Sequence, residues 1–446
     1  MRRLPKRKGV SFGTIAMLTI AGLVILGCTF LFPRFFGQTD IHFNARELAV
    51  AFSRPFGEQA PGSETSSATS AFGAPVEPFE WIPPVEQDIP TPAPTPVAFR
   101  LTAAGGVHVD NNVQKAMAGS DGYRFTDLFS LLNGDIVADI AVMTLENTVV
   151  SMEKPSDINA PADIMAALKA SGFHAVCLGH CDAFQSGLAG AVETREAAGE
   201  AGLLAYGVYG SRTQRDALTF VKVNGLSVAL LSYQEEISVS GRKKLSDEER
   251  GYAYGELSLP VIISDIKRAG TLGAQVVIVS LCWGKAGAEK PTPEQRELAQ
   301  AIADAGADVI LGTHSGVLQP VEILAVDRGG SPSQTLCAYS LGNLFSNDRK
   351  TRATISGILM HANVIYDSVT NTISFNQLSY TPTYVWRGKK EDKTVYAALP
   401  SDVTPPDYVL SDQQDVMQRS LALVQSVMYD SPFSIRRPGS VFLVIE

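Results

Sequence analysis

Hydrophobic and polar positions along this 446-residue chain change rhythm twice before they become regular. Gly9 to Pro33 carries no charge, and within it "TIAMLTIAGLVILGCTFLF" is about the length a helix needs to cross a bilayer. Arg2, Arg3, Lys6, Arg7 and Lys8 precede it. Cationic flanks stay cytoplasmic, so residues 1–12 read as a cytoplasmic N-terminus, 13–33 as a transmembrane signal anchor, and everything after Arg34 as extracytoplasmic. A lipoprotein signal ending at Cys28 and ordinary signal cleavage are the alternatives, and all three export the rest of the chain. From Gly57 to Val97 the composition shifts to Pro, Ser, Thr, Ala and Glu, as in "PGSETSSATSAFGAP" and "PPVEQDIPTPAPTP". Such a stretch buries too little apolar surface to offset its ordering entropy, so 34–97 reads as a disordered linker.

After Ala98 short apolar runs alternate with helical segments. "AFRLTAAGG", "DIAVMTLEN" and "HAVCLGHC" predict strands, with helices at "DIMAALKASG" and from Gly187 to Ala201. "ALTFVKVNGLSVALLSY" predicts a hairpin turning at Asn224-Gly225. Helix "LPVIISDIKRAG", strand "AQVVIVSLCWG", helix "TPEQRELAQAIADAG" and strand "ADVILGTH" follow. This alternation implies an α/β fold with parallel sheets covered by helices. The later runs "TLCAYSLGN", "GILMHANVIYD" and "TISFNQLSYTPTYV" predict a second, more antiparallel sheet, and the helix near Asp412 to Met428 reads as peripheral. The expected division is a domain over 98–390 and a C-terminal extension over 391–446.

Composition adds two constraints. Apolar content of 45% supports a sizeable core, and a formal charge of −9 gives no electrostatic reason to expect nucleic-acid binding. The cysteines after Cys28 (Cys177, Cys181, Cys282 and Cys337) are too few for a disulfide scaffold in a domain this large.

Candidate chemistry gathers where the predicted strands end: Gly105-Gly106, Glu146-Asn147, His180-Cys181-Asp182, Cys282-Trp283-Gly284, His314 and Ser340 to Asn343. Parallel strands share a carboxyl edge, so these groups are expected to converge. Carboxylate, thiol and imidazole together are a plausible ligand set for zinc. Each also has an ordinary reading: a buried small cysteine, a helix-capping glutamate, a loop histidine.

The order of the motifs resembles the CapA family of poly-γ-glutamate capsule biosynthesis proteins, in the calcineurin-like metallophosphoesterase superfamily, from about Phe99 to Pro382. "ALKASGFHAVCLGHCDAFQSGLAGAVETREAAGEAGLLAYGVYGS" resembles its "LANNH" block. "VVIVSLCWGKAGAEKPTPEQRELAQAIADAGADVILGTHSGVLQPVEIL" resembles its "HWG … GHHPHVLQP" block, and "AYSLGNLFSN" its "YSLGNF". The resemblance implies a four-layer α/β/β/α metallophosphoesterase-like sandwich.

It also exposes departures. The family's first-strand Asp is Gly106, and the last His of its final motif is Gly316, so one metal loses both ligands. The positions that hold the other metal are matched by Glu146, Cys181, Cys282 and His314, where two thiolates favour zinc. Three outcomes stay open for Cys181 and Cys282: one zinc shared with Glu146 and His314, a disulfide, or inert relics. Asp182 replaces the histidine near the leaving group and, with Asn343 of "SLGN", is the catalytic candidate. His180 and Trp283 are candidates for substrate contact, His108 and Asp110 for a displaced ligand. His42, His174 and His361 read as structural or exposed, and Tyr252, Tyr254 and "GRKKLSDEERG" as a loop able to form a lid.

The function implied is a single-pass, membrane-anchored, extracytoplasmic CapA-like protein serving synthesis, export or anchoring of an anionic poly-γ-glutamate-type polymer. Membrane proteins of the capsule machinery are its expected partners, and two-metal phosphatase chemistry is expected to be lost. A non-catalytic scaffold and a one-zinc hydrolase are the alternatives.

Overall fold

The computed structural model describes residues 95–390 and 392–436. The anchor at 13–33, Cys28, His42 and nearly all of the linker lie outside the described residues. Among the described residues no helix is long and apolar enough to cross a membrane.

Strands β1 (Val97–Val107), β2 (Ile140–Leu145), β3 (Ala175–Cys177) and β4 (Leu204–Tyr206) run parallel, side by side. Helix α1 (Asn111–Met117) follows β1, with Asp110 accepting from Val113 N as its N-cap. Helices α2 (Asp163–Ala170) and α3 (Gly187–Glu200) link the later strands. The second sheet begins with the predicted hairpin, β5 (Phe220–Val223) and β6 (Leu226–Gln234). Asn224 and Gly225 take φ of 48° and 83°, the paired left-handed conformations that match a turn to strand twist. Helices α4 (Leu259–Thr271) and α5 (Pro293–Asp304) alternate with β7 (Val276–Cys282) and β8 (Val309–Thr313), parallel to β6. Thr292 and Gln295 close a capping box at the start of α5, as their spacing requires.

The later strands correct the expectation of a separate antiparallel sheet, because they divide between the two existing sheets. β9 (Val321–Arg328) and β10 (Ser331–Ala338) extend the second sheet, β10 pairing parallel with β8. Short β11 (Asn343–Phe345) and long β12 (Ser356–Asp367) both pair with β1. β13 (Thr372–Lys390) and β14 (Lys393–Pro400) continue outward from β12. β1 and β8 each present an open edge whose unpaired N–H and C=O groups these strands satisfy. A boundary at 390/391 therefore falls inside a hairpin. Helix α6 (Ser411–Val427) is not peripheral either: it buries Met417, Ser420 and Val424, and Ser420 Oγ lies 2.6 Å from Ser356 Oγ.

Alternation along the strands builds the layers. Val228 and Leu230 face the other sheet, meeting Leu101, Val142, Ile278 and Leu311 in the inter-sheet core. Their neighbours Ala229 and Leu231 turn outward onto Ile262 and Ile266 of α4 and Ile302 of α5. On the opposite flank Ala141 and Met143 meet Ile164 and Leu168 of α2. The order is helix, sheet, sheet, helix, and strands buried on both faces read as continuous apolar runs.

Candidate functional site

The carboxyl ends of β1, β2, β3, β7 and β8 open onto one cleft of about 720 Å³. Glu146, His180, Cys181, Asp182, Cys282, His314 and Asn343 all line it, together with His108, Asp110 and Gly316. The predicted convergence is therefore present. Asp157 and the run from Ser346 to Thr354 also contribute to the wall. Only a polar run after "SLGN" hinted at the latter in the sequence.

Gly106 pairs with Thr144 of β2 on one side and Asn343 of β11 on the other. A Cβ built on Gly106 would stand 2.6 Å from Glu146 Oε1 and 3.4 Å from Asn343 Oδ1. The position that the resemblance matches to a metal-binding carboxylate is thus a tight seam, floored by Glu146. Gly105 allows the approach of the next loop, since a Cβ there would meet Gly342 O at 1.8 Å. Asn343 is buried, and its Nδ2 donates to Thr354 O at 2.9 Å, tying β11 to the far wall.

His314 takes φ of 85°, a left-handed conformation that costs a β-carbon residue about 1–3 kcal/mol. The loop around it is fixed by Ser315, whose Oγ donates to Val317 O at 2.8 Å and whose carbonyl accepts from Gly287 N at 2.7 Å. Asp182 accepts from Gln185 Nε2 at 2.7 Å, which in turn touches Ser238 Oγ at 2.9 Å. His108 Nε2 lies 2.6 Å from Asp157 O.

Burial dominates the electrostatics. It raises the Glu146 carboxyl, a shift that Asp182 reinforces and His108 and His314 oppose. It lowers His180 to about 4, so the ring is neutral at physiological pH. It pushes the Cys181 thiol up to about 12, helped by Asp182 and Glu146, and raises Cys282 as well. In this structure both cysteines are free thiols. Cys181 occupies the loop after β3, its Sγ 3.7 Å from Asp182 Oδ2, whereas Cys282 is buried at the end of β7.

The four positions matched to a metal share this cleft, but among the described residues no group of three or more His, Cys, Asp or Glu side chains is placed to hold an ion. As arranged here, the four side chains do not fit a metal. Trp283, a candidate for substrate contact, is absent from the cleft lining. It is 1% exposed, stacks on Tyr339 at 6.1 Å and donates from Nε1 to Tyr339 O at 3.0 Å, so it walls the core behind the cleft. Tyr252 and Tyr254 pack against the core, with Tyr254 touching the Phe184 ring, and form no lid. His361 is structural: its ring nitrogens meet Thr102 and Thr381 hydroxyls at 3.0 and 3.2 Å. The cleft lining carries the carboxylates Asp110, Glu146, Asp157, Asp182, Glu289 and Asp348 against the ammonium of Lys350.

Residues 100–348 match the family described as bacterial capsule synthesis protein PGA_cap. The capsule biosynthesis protein CapA of Bacillus anthracis is 28% identical over 209 residues, 47% of this chain and 49% of that protein. The PGA biosynthesis protein CapA of Bacillus subtilis (strain 168) is 30% identical over 153 residues, 34% of this chain and 37% of that protein. The match thus spans half or less of the length of each relative. Among solved structures, the calcineurin-like phosphoesterase YfkN from Bacillus subtilis is similar with a TM-score of 0.42 at 11% identity, over 75% of this chain and 99% of that one. The Haemophilus influenzae NAD nucleotidase NadN has a TM-score of 0.40 at 11% identity, over 76% of this chain and 57% of that one.

Proposed function

This chain belongs to the bacterial capsule synthesis protein PGA_cap family, and we propose that it handles a poly-γ-glutamate-type capsule polymer outside the membrane, without two-metal phosphatase chemistry. The reading places residues 13–33 in the membrane as an anchor and the folded domain on the far side of the linker. One observation carries the loss of phosphatase chemistry: glycine stands at both ligand positions of one metal, and at Gly106 a Cβ would already crowd Glu146 Oε1 at 2.6 Å. In-line displacement at phosphorus uses two ions to hold the attacking and departing oxygens, and one pair of ligands is gone. What the remaining groups can do is bind. His180 is neutral and buried in the wall, Asp182 is held by Gln185, and Asn343 anchors the loop that closes the far side.

The test is genetic and enzymatic. Deleting the coding sequence in its bacterium is expected to remove surface polyglutamate, and the full chain to restore it. Glu146→Gln is expected to restore it equally well, and purified protein to hydrolyse phosphoesters only at background rate with manganese or zinc added. Phosphoester turnover abolished by Glu146→Gln would overturn the proposal, as would an unchanged capsule in the deletion strain.

A further inference from the structure

Beside the acidic cleft lies a second cavity of opposite charge. It has a volume of about 540 Å³ and is lined by Lys115, Arg124, Arg387, Lys393, Thr394 and Tyr396, with no carboxylate in its wall. Asn112 of α1 lines both cavities, so the two share a rim. The cations come from separate places in the sequence: Lys115 from α1, Arg124 from the segment after it, Arg387 from β13 and Lys393 from β14. Among the described residues none of these side chains forms an ion pair; the ion pairs present use other arginines and Lys350. Uncompensated like charges repel, and a protein surface seldom collects them without an anion to receive.

An aromatic residue completes the wall. Tyr396 is 3% exposed and paired across the hairpin with Arg387, and its ring packs edge-on against Phe345 at 6.5 Å. Tyr396 lines the cavity beside Arg387, its cross-strand partner. Two arginine forks and two ammonium groups lining one cavity suit carboxylates spaced along a chain.

We infer that this basic cavity grips a carboxylate-bearing polymer chain next to the cleft. The inference rests on the capsule reading, which supplies the polymer. The cleft, lined by carboxylates, repels the body of such a chain, so the basic cavity holds the chain and the shared rim at Asn112 directs a neutral or cationic end toward the cleft. Each exposed ion pair is weak, and affinity builds from repeated contacts along one chain.

The experiment uses the full chain in detergent micelles and fluorescently labelled γ-linked polyglutamate, read by anisotropy at low and physiological salt. Lys115→Ala with Lys393→Ala is expected to weaken binding about tenfold and flatten its salt dependence. Both lysines are exposed, so an unchanged melting temperature accompanies the loss. Lys222→Ala, exposed on β5 of the other sheet, is expected to bind like the parent protein. Undiminished binding by the double variant overturns the cavity assignment and leaves the capsule reading standing. A parent protein that binds inorganic polyphosphate through these lysines but ignores polyglutamate overturns the carboxylate assignment. A parent protein that binds neither sinks this inference and removes support from the capsule reading itself.

Discussion

At Gly106 a methyl group would press on Glu146 Oε1 at 2.6 Å and touch Asn343 Oδ1 at 3.4 Å, both in a seam between paired strands. Gly106→Ala is therefore expected to destabilise the domain by about 1–3 kcal/mol, the usual cost of overpacking, seen as a lower urea midpoint. Gly106→Asp costs more, since a second carboxylate meets Glu146, whose charged form is already disfavoured by burial. An equal midpoint for Gly106→Ala would mean that Glu146 swings away freely. At this scale the sequence was partly legible. The identity and order of Glu146, Cys181, Asp182, Cys282 and His314 announced a shared edge, because parallel strands put their carboxyl ends together. The aim of a single side chain was not announced. Trp283 adjoins Cys282, yet one faces the outer core and the other the cleft, because neighbouring residues of an extended chain point to opposite sides.

Individual elements were legible wherever local chemistry decides. The Asn224-Gly225 turn and the Thr292 to Gln295 capping box both formed as their residue types require. Strand partnership was less so. β10 and β12 have similar apolar patterns but pair in different sheets, since open edges on distant strands choose the partner. β12 also carries a testable group in His361, enclosed between Thr102 of β1 and Thr381 of β13. Burial, and then the Arg436 charge, lower this ring to about 3. An unfolded histidine titrates near 6.5, so below that pH the unfolded chain binds a proton that the folded chain refuses. The stability contributed by the neutral ring is full above about pH 6.5 and is lost as pH falls toward 3, by at most about 1.4 kcal/mol per pH unit. Urea midpoints at pH 7 and pH 5 are expected to fall further apart for the parent protein than for His361→Asn. Equal gaps would show that His361 protonates without penalty.

For the molecule as a whole, the arrangement of charge matters more than its sum. The formal net charge of −9 disfavours an anionic partner in general, yet Lys115, Arg124, Arg387 and Lys393 collect in one cavity beside a carboxylate-lined cleft. That division was hidden in the sequence because its cations are contributed by α1, the segment after it and the two strands of the β13–β14 hairpin, which the expected boundary at 390/391 divides. An anionic chain approaching this face meets attraction and repulsion side by side, a pattern that orients it. On the proposed reading, two-metal catalysis would need side-chain ligands at the positions of Gly106 and Gly316.

Metal stoichiometry addresses this most directly. The full chain, equilibrated with excess manganese and zinc and then freed of unbound ions, is expected to hold no metal in stoichiometric amount, since the four matched side chains do not close around an ion. Two ions per chain, retained with the thiols intact, would contradict the account.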